Sequence, residues 1–193
     1  MNPLGHKAYG HIPHLPGSRV GPGDHRCTPD EARIATVRTR DPDDLIIVQE
    51  KLDGSNVACI KRDGTILPLT RAGNSAWSSP YEQHYLFARW VLENEARFTA
   101  VLHEGERVCG EWLAQAHGTR YLLPHEPFVA FDLMVGMIRL SGEEFLQRMR
   151  LARFITPREL HRGGAFSVAQ VRKILEPSGH GALDPVEGAV WRC

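Results

Sequence analysis

The segment "QEKLDGSN", residues 49–56, joins a lysine to groups that could tune its reactivity. Lys51 stands at the end of an apolar run, with Glu50 before it and Asp53 and Gly54 after it. A lysine at the end of a buried strand, at a turn that glycine permits, can be partly desolvated. Desolvation lowers the pKa of a lysine and makes neutral amine available as a nucleophile. The spacing therefore predicts covalent catalysis, although a charged hairpin turn would carry the same four letters.

Four shorter segments follow the lysine motif. They are "TRAG" (70–73), "CGEW" (109–112), "FVAFDL" (128–133) and "EGAVWR" (187–192). Together with "EKLDGSN", this ordered series resembles the nucleotidyltransferase motifs of covalent polynucleotide ligases, most closely those of the ATP-dependent RNA ligases. The opening "KAYGHIPHLPGSR" (7–19) is similar to the N-terminal stretch of some bacterial and phage RNA ligases. The resemblance spans nearly the whole chain, and only the helical connectors carry no signature.

The resemblance assigns the central chemistry to Lys51. It implies that the amine attacks the α-phosphate of ATP, expels pyrophosphate and leaves a lysyl-AMP phosphoramidate. Glu50 matches the position that recognises the adenine edge, where a carboxylate or the backbone beside it accepts a hydrogen bond from the exocyclic amine. Asn56 matches a nucleotide-contacting position, whereas Asp53 and Gly54 shape the turn. A surface glutamate and an asparagine that bonds only the backbone are the structural alternatives.

Three further residues match nucleotide-binding positions of the family. Arg71 corresponds to the arginine that contacts the nucleotide sugar or the substrate phosphates, and Glu111 corresponds to the carboxylate that binds the ribose hydroxyls. Phe131 matches the aromatic residue that stacks on adenine. Phe128 is the alternative, because residues three apart on a strand face opposite sides. Trp112 is expected to pack in the protein rather than to stack on a base.

Glu187 matches the carboxylate that helps to hold a divalent metal ion. Attack on a polyanionic phosphate requires charge neutralisation, so the resemblance implies Mg²⁺ or Mn²⁺, ions that prefer oxygen ligands. We expect no dedicated all-protein cage for this ion. Asp132 is expected either to point at the metal region or to cap its strand end.

The sequence departs from the family after Glu187. Related ligases carry a further strand with one or two lysines that grip the α-phosphate, whereas this chain ends at Cys193 and no lysine follows Lys173. We therefore expect neither that motif nor a C-terminal accessory domain, and we consider a partner subunit or domain as the source of the missing lysines. Arg19 or Arg192 could supply the cation instead.

Composition adds limits on location and partners. The 23 basic and 23 acidic residues cancel, so no global basic field indicates nucleic-acid binding. The four cysteines form no Cys-x-x-Cys pair, which argues against a disulfide framework and a structural zinc site and favours a reducing compartment. No signal peptide or membrane-spanning stretch is recognisable, so we expect a cytoplasmic protein without membrane contact.

The elements that position these motifs are mainly strands. Residues 1–31 are rich in proline and glycine and are predicted to form an irregular arm. The order of the other elements predicts an α+β fold with mostly antiparallel sheets and flanking helices, in one domain over 1–193. The resemblance specifies a nucleotidyltransferase domain, the ATP-grasp-like adenylation domain of ligases. Strands are predicted at 43–51, 106–113, 126–134, 137–140 and 187–192, a hairpin at 55–71 turning at Asp63-Gly64, and helices at 79–105, 141–154 and 167–176.

We therefore expect an ATP-dependent RNA ligase. The enzyme would form lysyl-AMP, transfer AMP to the 5′-phosphate of an RNA end or nicked duplex, and let a 3′-hydroxyl displace AMP to seal the strand. Two alternatives remain open: a GTP-using guanylyltransferase of the capping type, and a non-catalytic or incomplete module that binds nucleotides or RNA ends. The preference for RNA over DNA rests on the resemblance alone.

Overall fold

The chain forms two structural units, and each is built on its own antiparallel sheet. The structure, a computed structural model, describes residues 2–193. Residues 2–10 and 53–156 form the five-stranded unit. Residues 11–52 and 157–193 form the three-stranded unit.

The chain combines helices with two sheets, and every strand pair within the two sheets is antiparallel. The predicted α+β class is therefore confirmed. Within residues 2–193, no helix combines the length and apolar character that crossing a membrane requires. The elements are α1 (Pro29–Thr36), β1 (Ile46–Lys51), β2 (Ser55–Arg62), β3 (Thr65–Thr70), a 3-10 helix (Ala76–Ser78), α2 (Glu82–Glu93), α3 (Glu95–Val101), β4 (Glu106–Trp112), β5 (Phe128–Val135), β6 (Ile138–Arg139), α4 (Gly142–Leu151), β7 (Glu159–Gly163), α5 (Val168–Ile174) and β8 (Gly188–Arg192).

The strand β1 lies at the centre of the three-stranded sheet, whose order is β7-β1-β8. Ile46 and Val48 are fully buried and pack with Val171 of α5, because alternate residues of a strand share a face. The polar end of the strand follows this apolar half. In the pairing with β8, Lys51 lies opposite Gly188. The register therefore places the lysine next to the start of the last strand.

The five-stranded sheet has the order β3-β2-β4-β5-β6, and its first two strands form the predicted hairpin. The turn residues Asp63 and Gly64 have φ angles of 50° and 72°. A type I′ turn needs positive φ at both central residues, which aspartate tolerates and glycine adopts freely. The prediction of a turn at Asp63-Gly64 is confirmed.

The two faces of the five-stranded sheet differ in character. Val57 and Cys59 of β2 point into an aromatic core. Asn56, the neighbour of Val57, points to the opposite face because side chains alternate along a strand. The Asn56 side chain is thereby kept outside the aromatic core. The rings of this core belong to Phe87, Trp90, Phe98, Trp112, Phe128 and Phe154.

The helix predicted over residues 79–105 is divided by Asn94 into α2 and α3. Asn94 leaves the helical region, with φ −113° and ψ 15°. Its side-chain amide donates to the Trp90 carbonyl at 2.9 Å, and Arg97 donates to Asn94 Oδ1 at 2.9 Å. A short amide side chain competes with the helical backbone for hydrogen bonds. The prediction of one continuous helix is therefore wrong.

The later helices α4 and α5 each begin after a serine N-cap. Ser141 accepts a hydrogen bond from the Glu144 N–H at 3.2 Å, but the Glu144 carboxylate pairs with Arg148 instead of returning to the cap. Only half of a capping box is therefore formed at α4. Ser167 and Gln170 form both bonds of a capping box at α5.

Besides the short 3-10 helix, two elements have no counterpart in the prediction. The helix α1 lies partly inside the stretch predicted to be irregular, and Thr28 and Glu31 form a complete capping box at its start. The sequence carries this signal as Thr-x-x-Glu with Pro29 at the first helical position. The strand β7 has no buried side chain. Its pairing with β1, rather than an apolar pattern of its own, makes it a strand.

Candidate active site

Lys51 and Glu187 form an ion pair at the edge where β1 ends and β8 begins. The contact joins Nζ to Oε1, and about a third of each side chain is exposed, 35% for the lysine and 37% for the glutamate. The strand register explains the meeting, since Lys51 lies opposite Gly188, the residue after Glu187. The predicted nucleophile and the predicted metal ligand are thus brought together in the three-stranded unit, with access to solvent.

Glu50 points away from Lys51 because neighbouring side chains of a strand alternate. Only 2% of Glu50 is exposed. Its Oε1 accepts a hydrogen bond from the Ser178 hydroxyl, and its Oε2 accepts one from the Gly179 N–H at 2.8 Å. Both carboxylate oxygens therefore have a donor within this unit, and the role of Glu50 in adenine recognition stays a prediction. Ser178 and Gly179 carry no sequence signal beyond being residues that favour turns.

Arg158 fixes the segment that carries these two donors. Its guanidinium donates to the carbonyls of Ile174, Leu175 and Pro177, at 3.0 Å for Ile174 and 3.3 Å for Leu175. Because unsatisfied carbonyls accumulate at a helix C-terminus, this arginine satisfies the end of α5 and ties it to the following turn. The sequence does not mark Arg158, one of many arginines.

Asn56, Arg71 and Glu111 lie together in the five-stranded unit. Asn56 and Glu111 are directly opposite on β2 and β4, and Asn56 Nδ2 lies 3.4 Å from Glu111 Oε1. The Arg71 N–H donates to the Asn56 carbonyl at 3.1 Å, which places the arginine beside the same pair. Asn56 Oδ1 is buried and has no hydrogen-bond partner within residues 2–193. Buried acceptors are normally satisfied, so this oxygen suits a donor from a bound molecule.

Phe131 and Phe128 occupy different environments on β5. Phe128 is fully buried in the aromatic core, whereas Phe131 is only half-buried. Phe131 is the additional residue at an irregularity of the β4–β5 pairing, where Gly110 pairs with Ala130 and Cys109 pairs with Asp132. The ring of Phe131 meets Tyr9 edge to face, with centroids 4.9 Å apart. Stacking of Phe131 on adenine stays a prediction.

Asp132 holds the N-terminal segment against the five-stranded sheet. The Tyr9 hydroxyl donates to Asp132 Oδ2 at 2.6 Å, and Arg139 Nε lies 3.3 Å from the same oxygen. A second contact holds the same segment, since the Ala8 carbonyl accepts a hydrogen bond from the fully buried Arg107 at 2.8 Å. These contacts give Asp132 a structural partner in its own unit.

The Lys-x-Asp-Gly segment is a bend between two sheets rather than a hairpin. The strand before it, β1, pairs with β7 and β8, and the strand after it, β2, pairs with β3 and β4. A Cβ on Gly54 would lie 2.6 Å from the Trp112 carbonyl oxygen, so only glycine fits there. The Asp53 N–H donates to the Tyr121 hydroxyl at 3.0 Å, and Asp53 Oδ1 lies 3.6 Å from His117 Nδ1. The reading as a charged hairpin turn is excluded.

The chemistry of the donor set decides what kind of metal site Glu187 could form. Within residues 2–193, no group of three or more His, Cys, Asp or Glu side chains is placed to hold an ion. Mg²⁺ commonly uses one or two carboxylates together with substrate phosphates and waters. A single accessible carboxylate beside the lysine fits an ion that arrives with a nucleotide and does not fit a resident ion.

Two other groups considered from the sequence have different surroundings. Arg192 donates to Gln49 Oε1 at 2.8 Å and lies four residues along β8 from Gly188, about 13 Å at the rise of a strand. The four cysteines are free thiols. Burial raises the pKa of Cys109 to about 12 and raises that of Cys59 well above its ordinary value. Neither buried cysteine is a thiolate at neutral pH.

A comparison with protein-family models decides the family. The model described as RNA ligase matches residues 44–193, which include β1, β8 and every strand between them. The chain belongs to the RNA ligase family. No curated protein sequence matches it significantly.

Solved RNA ligases share the fold. An archaeal ATP-dependent RNA ligase superposes with a TM-score of 0.54 at 22% identity, over 77% of this chain and 41% of that chain. Naegleria gruberi RNA ligase, solved with PPi, gives a TM-score of 0.58 at 17% identity, over 77% of this chain and 46% of that one. A variant of the latter, solved with ATP and Mn, gives 0.55 at 17% identity over the same shares.

These similarities support the nucleotidyltransferase architecture expected from the motifs. At such identities the likeness concerns the fold alone. This chain also spans less than half the length of the ligases that it matches. The activity, nucleotide and RNA substrate of this chain are therefore proposals.

Proposed function

We propose that this member of the RNA ligase family is an ATP-dependent RNA ligase that forms a covalent lysyl-AMP intermediate on Lys51. The observation that carries the proposal is the pairing of Lys51 with Glu187 across β1 and β8. The lysine and the carboxylate at this edge are both accessible to solvent. The lysine supplies a nucleophile, and the carboxylate supplies a ligand for the divalent ion that accompanies a nucleoside triphosphate.

The first step needs the neutral amine of Lys51. The nitrogen attacks the α-phosphorus of ATP, a phosphorus–nitrogen bond forms, and the bond to the β-phosphate oxygen breaks so that pyrophosphate leaves with the electron pair. The amine must first leave its ion pair with Glu187 and lose a proton to solvent, to which both side chains are exposed. Glu187 is the acceptor that lies on Nζ, so breaking this contact belongs to the reaction coordinate.

Glu187 would hold a divalent ion that arrives with ATP. Such an ion neutralises charge on the phosphates and favours departure of pyrophosphate. Glu187 would then exchange its contact with Lys51 for a contact with that ion. The Glu187 carboxylate would therefore restrain Lys51 before the nucleotide binds, and would bind the ion that neutralises the phosphates afterwards.

Nucleotide recognition is assigned to residues of the five-stranded unit. Asn56 and Glu111 present amide and carboxylate groups from neighbouring strands, which suits the hydroxyls of a ribose. The buried Asn56 Oδ1 would accept a donor from the nucleotide. Arg71, exposed beside them, would contact phosphate, and Phe131 would stack on adenine.

The later steps follow from the chemistry of the adduct. The 5′-phosphate of an RNA end attacks the lysyl-AMP phosphorus, which breaks the phosphorus–nitrogen bond and returns the lysine. A 3′-hydroxyl then attacks the activated 5′-phosphate, and AMP leaves as the strand is sealed. RNA ends or a nicked duplex are the proposed substrates.

Intact-protein mass spectrometry tests this proposal in two stages. Incubation with ATP and Mg²⁺ or Mn²⁺ is expected to add the mass of one AMP. Subsequent addition of RNA with a 5′-phosphate and a 3′-hydroxyl is expected to remove that mass and to yield sealed RNA. An adduct formed from GTP but not from ATP would indicate capping-type chemistry. ATP binding without any adduct would indicate a binding module.

A further inference from the structure

The turn from Ser178 to His180, between α5 and β8, contacts the residue that precedes the proposed nucleophile. Ser178 donates its hydroxyl hydrogen to Glu50 Oε1, and Gly179 donates its N–H to Oε2 at 2.8 Å. The Ser178 oxygen also accepts the N–H of His180 at 3.0 Å, which directs the hydroxyl hydrogen towards the carboxylate. Each oxygen of the Glu50 carboxylate therefore accepts one hydrogen bond from this turn.

The surroundings of this turn leave it little freedom. His180 is 3% exposed, and its Nε2 accepts the N–H of Arg158 at 3.1 Å. The Arg158 carbonyl in turn accepts the N–H of Glu50 at 2.9 Å. A Cβ on Gly179 would lie 2.7 Å from Arg158 Cδ, so glycine is required for this close approach. Backbone and side-chain bonds thus connect the turn to the same residue of β1.

A buried carboxylate needs this arrangement. Glu50 is 2% exposed, and a charged group at that depth is stable only when hydrogen bonds replace its hydration. Hydrogen bonds to a charged acceptor are stronger than those between neutral groups, and two of them fix the carboxylate in position and orientation. Because Glu50 and Lys51 are adjacent on β1, fixing one residue also fixes the direction in which the next side chain leaves the strand.

We infer that Ser178 and Gly179 are positioning residues, which act through the Glu50 carboxylate to aim Lys51. The inference rests on the proposed function of Lys51. It gives the Glu50 side chain a role inside the protein and leaves adenine recognition to other groups. An error of about 1 Å in the aim of a nucleophile lowers a rate by about 100-fold, so the effect is expected in the rate of chemistry and not in nucleotide affinity.

The test measures the single-turnover rate of AMP-adduct formation at saturating ATP for wild type, Ser178→Ala, Ser178→Thr and Ser167→Ala. Ser178→Ala is expected to slow adduct formation about 10- to 100-fold, whereas Ser178→Thr retains a hydroxyl and recovers most of the rate. Ser167→Ala is the matched control, because it removes a hydroxyl bond from α5 in the same unit without touching Glu50. Its rate is expected to equal that of wild type.

ATP affinity separates positioning from binding and from misfolding. In a Lys51→Ala background, which forms no adduct, adding Ser178→Ala is expected to leave the dissociation constant of ATP unchanged. The effects of Glu50→Gln and Ser178→Ala on the rate of adduct formation are expected to be non-additive, since both substitutions break the same contact.

Adduct formation by Ser178→Ala at the wild-type rate would overturn the positioning role alone. Weakened ATP binding by Glu50→Gln would favour adenine contact and also overturn it. Absence of an adduct on wild type would overturn the proposed function, and the positioning role with it.

Discussion

Aromatic rings fill the interior of the five-stranded unit, whereas a small apolar cluster and a buried carboxylate share the interior of the three-stranded unit. In the first, Phe98 is fully buried and meets Phe154 with ring centroids 4.7 Å apart. In the second, Ile46, Val48 and Val171 are the buried members of the cluster, and Glu50 lies on the same strand. Apolar packing therefore stabilises the five-stranded sheet, whereas directed hydrogen bonds fix much of the side-chain arrangement in the three-stranded sheet.

This difference matches the proposed functions of the two units, which are nucleotide recognition in the five-stranded unit and nucleophilic attack in the three-stranded unit. Dispersion and burial are nearly non-directional, so an aromatic core gives a firm platform for binding groups on the opposite face of its sheet. Hydrogen bonds to a carboxylate depend on geometry and hold a strand end in one orientation. The proposed nucleophile, whose direction of attack matters, stands in the unit that is ordered by such bonds.

Removal of a core ring should have the largest effect on stability. Phe98→Ala is expected to lower the free energy of unfolding by about 3–5 kcal/mol, because it removes a fully buried ring and leaves a cavity. Val48→Ala, in the small cluster, is expected to cost about 1–2 kcal/mol. Urea denaturation followed by circular dichroism gives both values. Equal costs would remove the contrast between the two interiors.

The carboxylates of the two units should affect different kinetic parameters. Glu187→Gln is expected to lower the maximal rate of AMP-adduct formation about 100-fold, since it removes charge beside the reacting groups. Glu111→Gln is expected mainly to raise the KM for ATP. Adduct formation measured across a range of ATP concentrations separates the two effects. If both variants changed the same parameter, chemistry and binding would not be divided between the units.

A charged network in the five-stranded unit predicts a dependence on pH. Burial by itself raises the pKa of Glu106, but the His103 N–H and Arg148 outweigh it, so the pKa lies below its ordinary value near 4.5. A lowered folded pKa stabilises the protein above about pH 4.5, and that contribution is lost as pH falls through the folded pKa. Glu106→Gln is therefore expected to be less stable at neutral pH and to lose less stability on acidification.

The measurement for Glu106 is the midpoint of urea unfolding between about pH 6 and pH 3, for wild type and the variant. The two curves are expected to converge at low pH. Glu104→Gln serves as a matched control, because Glu104 lies two residues before Glu106 and bonds the backbone of the β2–β3 turn. Parallel curves for wild type and Glu106→Gln would contradict the assignment.

The capping box of α1 should give the smallest change. Thr28→Ala removes a hydroxyl that accepts the Glu31 N–H at 3.2 Å, and it is expected to cost about 1 kcal/mol. Thr28→Ser keeps the acceptor and should cost only a few tenths of that. Thermal unfolding of the two variants gives the difference. Thr28→Ala is not expected to change the rate of adduct formation at saturating ATP. A changed rate would show that the capping box of α1 influences the chemical step.

The sequence predicts those parts of the fold that local patterns determine. Short apolar runs predict β1, β2, β4 and β5, and Asp63-Gly64 predicts the hairpin turn because that turn type needs two residues with positive φ. The break at Asn94 was missed, since whether an asparagine bonds its own helix depends on neighbours such as Arg97. The strand β7 was missed because its pairing with β1, and not its composition, defines it.

The site shows the same limit. The resemblance to the ligase motifs singles out Lys51 and Glu187, which the strand register brings into contact across 136 residues of chain. The grip on Glu50 is not predictable, because Ser178, Gly179 and Arg158 have no motif and meet Glu50 only through the fold. The sequence left a charged hairpin turn open as the alternative at Lys-x-Asp-Gly, because the close approach of Gly54 to the backbone of Trp112 is visible only in the fold.

The most direct test of the central claim is the location of the AMP adduct. The protein is incubated with ATP and Mg²⁺ or Mn²⁺, digested, and mapped by tandem mass spectrometry, with Lys51→Ala and the control Lys61→Ala treated in parallel. The account predicts one AMP on Lys51 in wild type and in Lys61→Ala, and none on Lys51→Ala. An adduct that persists in Lys51→Ala, or that maps to another residue, would contradict it.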